Sequence, residues 1–149
     1  MQPSKYGDDF KIGDVYTTGA ITVTETHVVN WAGLTMDFYP LHMDKEYAAK
    51  TQFGERLVHG PLIFALAVGL VGSANFAGDS AIAWLGVDNM KMLAPVKILD
   101  TIRVEVEVVE QKPTKNPGRG VQTWKYTVKN QGDEAVMVIE YIMMFHIRA

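Results

Sequence analysis

The 149-residue chain contains no cysteine, which excludes disulfides, thiolate zinc sites and a cysteine nucleophile together. It has no apolar run of membrane-spanning length. The longest, Pro61 to Ala77, falls short of the roughly 20 residues a bilayer span needs and is interrupted by Gly69, Gly72, Ser73 and Asn75. No basic run exceeds two residues and the formal net charge is -3, so the electrostatic footprint of a nucleic-acid binder is missing. The first ten residues lack the cationic start and apolar run of a signal peptide. With the cysteine-free composition, this leads to the expectation of a cytoplasmic protein. No repeat, low-complexity tract or linker divides the chain, so residues 1–149 are expected to form one domain, long enough to bury roughly 68–70% of its unfolded surface without staples.

The elements predicted from patterning are helical early and extended late. Thr24 is an N-cap candidate for a helix over Glu25 to Leu34. Thr35 to Met43 reads as loop, because Pro40 lacks an amide hydrogen and pushes Tyr39 towards extended backbone. Asp44 is expected to cap a short helix from Lys45 to Lys50, after which Phe53-Gly54 turns the chain. A helix from Pro61 to Ala77 is apolar all round, which predicts burial on every side. Four strands follow: Ala81 to Met92, Thr101 to Glu110, Val121 to Lys129 and Ala135 to Ile147. In the second, Ile102, Val104, Val106 and Val108 alternate with Arg103, Glu105 and Glu107, the period-two signature of a half-wet strand. The last is apolar on both faces, as in a central strand or one sealed by a partner. Asn116-Pro117-Gly118 and Asn130-Gln131-Gly132-Asp133 read as hairpin turns. The fold class is therefore α+β, an antiparallel sheet curled around a long uncharged helix.

Asp37 and His42 lie five positions apart, and seventeen residues on, a helix opens at His59-Gly60-Pro61. A carboxylate base, an imidazole and bare helix-start amides are the parts needed to add water beside a carbonyl and steady the resulting enolate. Pro61 has no amide hydrogen, so the Gly60 amide is the expected oxyanion donor, with Leu62 as a neighbour. Tyr39 can turn its hydroxyl to the water or acyl chain, or fill volume around the loop; both readings stay open. His42 and Asp44 are not expected to hold a metal, since no second histidine sits at ligand spacing. His59 reads as a helix-start residue, His27 as part of a solvated helix face, and His146 as satisfying a buried or interface hydrogen bond.

The order of these features resembles the MaoC-like hydratase and dehydratase family of the hot-dog fold, to which the (R)-specific enoyl-CoA hydratases belong. The resemblance is carried by Phe10-Lys11-Ile12-Gly13-Asp14, by Asp37 to His42 (an aspartate, four residues, a histidine), by Leu57-Val58-His59-Gly60 and by Leu93-Ala94-Pro95-Val96. It implies a MaoC-like hot-dog domain, catalytic Asp37, His42 and Gly60, and substrate contacts from Tyr39, Pro40, His59 and Pro61. It further implies an acyl-CoA thioester as the small-molecule partner, no separate cofactor or metal, and a homodimer or higher homo-oligomer. Lys91, Lys97, Arg103 and Arg119 are candidates for the coenzyme A phosphates. Two neighbours depart from the family pattern, Met36 where glycine is common and Tyr39 where asparagine is common. A hot-dog thioesterase and a non-catalytic acyl-thioester-binding subunit are the competing readings. Many such thioesterases carry a carboxylate on the central helix, and residues 61–78 contain no Asp or Glu.

Overall fold

The computed structural model describes residues 3–148. Six strands, β1 (Val15–Thr17), β2 (Ile21–Thr22), β3 (Ala81–Met92), β4 (Thr101–Pro113), β5 (Arg119–Lys129) and β6 (Ala135–His146), accompany four helices, α1 (Glu25–Thr35), α2 (Pro40–Met43), α3 (Lys45–Ala48) and α4 (Gly60–Ala74). The sheet order is β1-β4-β5-β6-β3, with β2 also on β4, and every pairing is antiparallel. The four long strands thus match their predicted positions to within three residues. The last is internal, flanked by β5 and β3, as its two apolar faces require.

Alternation along β4 has the expected consequence. Ile102, Val104, Val106 and Val108 are completely buried while Arg103, Glu105 and Glu107 are half-buried on the other side. Trp124, Tyr126, Ile139 and Phe145 extend this core across β5 and β6 and meet Ile63 and Ala67 of α4. Both hairpins form at the predicted turns. Asn116 Oδ1 accepts from Gly118 N, and Asn130 Oδ1 accepts from Gly132 N and Glu134 N.

Several expectations are corrected. α4 buries only one side, through Leu62, Ile63, Ala67 and Val71; Phe64, Leu66, Val68 and Leu70 are half-buried and Gly69 and Gly72 exposed. A single sheet covers one face of a helix, and composition cannot tell a helix wrapped by its own chain from one with a bare flank. α4 also stops at Ala74, because Asn75 takes the left-handed conformation (φ 52°) and caps the helix with its amide. The supposed loop 35–43 contains the one-turn helix α2, with Pro40 at a first-turn position where its missing amide hydrogen costs nothing. β1 and β2 were not predicted. They are three and two residues long, too short for any periodicity, and are held by their pairing to β4.

Candidate active site

α1 ends where Met36 adopts φ 64° and donates its amide to Ala32 O at 2.8 Å. That left-handed cap turns the chain sharply and delivers Asp37 to the open side of the molecule, where its side chain is 44% exposed. Its Oδ1 accepts from Tyr39 N at 3.3 Å, an Asx turn leading into α2. α2 presents His42, and Asp44 closes the arrangement by accepting from Glu46 N and Tyr47 N at 2.9 and 3.0 Å, the predicted cap of α3.

The strand-like segment before α4 supplies the third side. Leu57 N donates to Leu41 O at 3.3 Å and Val58 N to Val96 O at 2.8 Å, while Leu57 bridges to Lys97. Residues 57–59 are thereby clamped between α2 and the chain leading from β3 to β4. The result is a cluster in which Asp37, His42 and His59 each bring one polar atom within 4.8 Å of the others. The His42 and His59 rings stack at 3.9 Å with 28° between planes. His42 Nδ1 faces Leu57 O at 2.8 Å and His59 Nε2 faces Asp37 O at 3.0 Å. A carbonyl oxygen only accepts, so these nitrogens carry the hydrogens, leaving Nε2 of a neutral His42 as a free lone pair.

His59 is completely buried. Burial is the largest influence on its pKa and pushes it below the ordinary imidazole value, with the nearby His42 acting in the same direction; the bond to the Asp37 carbonyl and the Asp37 carboxylate oppose this. Its side chain does not cap α4, although the residue stands at the N-cap position. His59, expected as a substrate contact, is buried behind Asp37 and His42, touching the carbonyl of one and the ring of the other.

Gly60 and Pro61 open α4, so the first-turn amides of Gly60 and Leu62 have no intrahelical acceptor. Gly60 lies on the wall of a cleft of about 360 Å³ together with His42, Phe53, Leu57, Met92 and Leu93. A Cβ at Gly60 would stand 3.7 Å from Met92 Cγ, an ordinary contact. Phe53, Met92 and Leu93 line this cleft and were not among the expected site residues. Tyr39 is 52% exposed, edge-on to His42 at 6.1 Å between centroids, with its hydroxyl 3.4 Å from that of Tyr47. Pro40 and Pro61 are exposed beside these helix starts.

The expectation of no metal rested on linear spacing, and folding brings a second histidine, His59, to the pair from 17 residues beyond His42. His59 Nε2 faces the Asp37 carbonyl, while its Nδ1 is buried without a partner. Of the remaining expectations, Lys97 and Arg103 are engaged by Glu55 and Asp133. His27 is not a solvated surface residue. Its Nδ1 accepts the Thr24 amide at 3.0 Å and stands in for the usual Glu of a capping box. His146 is exposed and not buried.

Residues 9–130 match the family model described as MaoC like domain. The (R)-specific enoyl-CoA hydratase of Rhodospirillum rubrum is 33% identical over 135 residues, 89% of this chain and 91% of that one. Protein MaoC of Klebsiella aerogenes is 40% identical over 102 residues, 68% of this chain but only 30% of that protein's length. Among solved structures, a monoamine oxidase regulatory protein from Archaeoglobus fulgidus aligns with TM-score 0.91 and 36% identity, covering 97% of this chain and 96% of the other. The (R)-hydratase of Aeromonas caviae aligns with TM-score 0.75 and 26% identity over 95% of this chain and all of its own.

Proposed function

Because the chain belongs to the MaoC-like domain family, we propose that it reversibly adds water to a trans-2-enoyl thioester of coenzyme A, giving the (R)-3-hydroxyacyl thioester. The observation carrying this reading is the Asp37 carboxylate and His42 imidazole converging within 4.8 Å, with His42 and Gly60 on the wall of one mostly apolar cleft. A water between the carboxylate and the bare Nε2 of His42 meets two acceptors. Its oxygen bonds to the β carbon as a proton leaves to the dyad; the alkene π pair shifts to an enolate, and a proton returns from the dyad to the α carbon. One water is consumed and no electrons are exchanged with an outside carrier. The Gly60 amide, at the positive end of α4, donates to the thioester oxygen as it gains charge, a type of contact worth about 2.7–4 kcal/mol elsewhere.

The relatives named as (R)-specific enoyl-CoA hydratases support the stereochemistry and the carrier. Tyr39, Pro40 and Pro61, exposed around the dyad, are assigned to flank the bound thioester. Coenzyme A arrives as part of the substrate, so no other cofactor enters the scheme. The functional unit is a cytoplasmic homodimer or higher homo-oligomer in this reading. β3 is an open sheet edge whose Trp84, Leu85, Met90 and Met92 are 56%, 49%, 48% and 43% exposed, the kind of surface that pairing covers. No helix among the described residues is long and apolar enough to cross a membrane.

The test is to incubate purified protein with a panel of trans-2-enoyl-CoA substrates and follow loss of the conjugated thioester absorbance, with chiral analysis of the product. Asp37→Asn and His42→Ala are each expected to lower kcat on the order of 10²–10⁴-fold with unchanged thermal unfolding. Absence of turnover across the panel would overturn the reading. Release of free coenzyme A, detected with a thiol reagent, would replace it with thioester hydrolysis.

A further inference from the structure

His59 has a price attached that an apolar residue of the same shape would avoid. It is completely buried, and while Nε2 is paired to the Asp37 carbonyl, Nδ1 has no hydrogen-bond partner. Buried polar atoms are rarely left so. The ring must also stay neutral, because a proton on Nδ1 would bury a second donor without an acceptor. What the residue gains is contact with both reactive groups from behind. Asp37 is otherwise held loosely: its amide reaches Thr35 Oγ1 at 3.4 Å and its carboxylate receives Tyr39 N at 3.3 Å. The 3.0 Å bond from His59 to the Asp37 carbonyl is the shortest of these restraints, and it leaves the carboxylate free, with Oδ2 3.9 Å from Nε2. On its other side, the His59 ring face lies against the His42 ring at 3.9 Å, while Leu57 O fixes the His42 edge.

The geometry points to His59 as the positioning residue that sets the spacing of Asp37 and His42, one N–H tethering the aspartate's backbone and one ring face orienting the histidine. This rests on the hydratase reading for its kinetic consequence but not for its structural one. Misplacing a reacting group by about 1 Å can cost on the order of 10²-fold in rate.

Two variants of the full chain separate the parts. His59→Gln keeps a neutral N–H donor at comparable reach, whereas His59→Phe keeps a planar ring and loses the donor. With trans-2-butenoyl-CoA, His59→Phe should lower kcat on the order of 10–10²-fold with KM changed less than about threefold, and His59→Gln should recover most of it. Hydrogen–deuterium exchange over residues 36–43 should accelerate in His59→Phe and stay near wild type in His59→Gln, with protection of the four long strands unchanged. If His59→Phe does not fold, His59→Asn, whose amide is too short to reach the carbonyl, is expected to give the same losses. Wild-type kcat in a donor-free variant, unchanged exchange over 36–43, or a Gln variant as impaired as Phe would each overturn the inference. Should wild type turn over no enoyl-CoA, the hydratase reading falls separately, and the exchange measurement alone decides whether His59 tethers Asp37.

Discussion

Met36 holds φ 64° and is 76% exposed, so it bears the strain of a left-handed cap and receives little packing in return. A non-glycine residue in that region is disfavoured by roughly 1–2 kcal/mol. Replacing it with glycine removes this strain but adds roughly 0.5–1 kcal/mol of backbone entropy to the unfolded chain. Met36→Gly should therefore stabilise the fold by about 0.5–1 kcal/mol, which at this size raises Tm by about 1–4 °C. Met36→Val is the opposing control: a β-branched side chain resists φ > 0 more strongly, and a loss of about 1 kcal/mol is expected. Urea unfolding followed by fluorescence of the buried Trp124, at fixed protomer concentration, reads both changes. Destabilisation by Met36→Gly would mean that entropy alone acts there, and would refute the assignment of strain to this cap.

Gly60→Ala should leave Tm nearly unchanged, since its Cβ meets nothing closer than 3.7 Å, yet lower kcat/KM about tenfold by narrowing the cleft beside the oxyanion donor, the equivalent of about 1.4 kcal/mol; steady-state kinetics on the folded variant checks this. Leu85→Lys puts a charge on the open β3 edge and should shift the light-scattering mass of a dimer towards monomer at micromolar concentration. Stability should fall on acidification partly through His59. The unfolded chain takes up a proton near the ordinary value of 6.5, while burial holds the folded ring below it, so the unfolded state binds more protons in that window. Urea titrations at pH 7.5 and 5.5 should then show wild type losing more stability than His59→Gln, and equal losses would contradict the buried neutral ring.

What could be read in advance follows the range of the interactions concerned. β4 was legible because its alternation directly records one dry and one wet face, and both hairpins because Asn-containing turns are stabilised by their own side chains. The Asp44 cap was legible for the same local reason. α4 was found as a helix but not as a half-covered one, since apolar composition reports what must be buried and not what buries it. Pro40 misled because the residue that ends a helix interior is equally suited to start one.

The site divides along the same line. Asp37, His42 and Gly60 were proposed from residue type and near neighbours, and the fold brings the first two together and sets His42 and Gly60 on one cleft wall. The role of His59 could not be proposed that way, since it depends on a 22-residue separation closed by the Leu57–Leu41 and Val58–Val96 bonds and on which ring nitrogen meets a carbonyl. That contact has a chemical corollary. If both rings are fixed as tautomers by carbonyls behind them, only His42 presents a lone pair forward, and it does so beside a ring that stays neutral. A protonated neighbour at 3.9 Å would repel a proton arriving on His42; a neutral, buried one does not. In the proposed hydration, a neutral, buried His59 therefore adds no positive charge behind the group that would take up the proton.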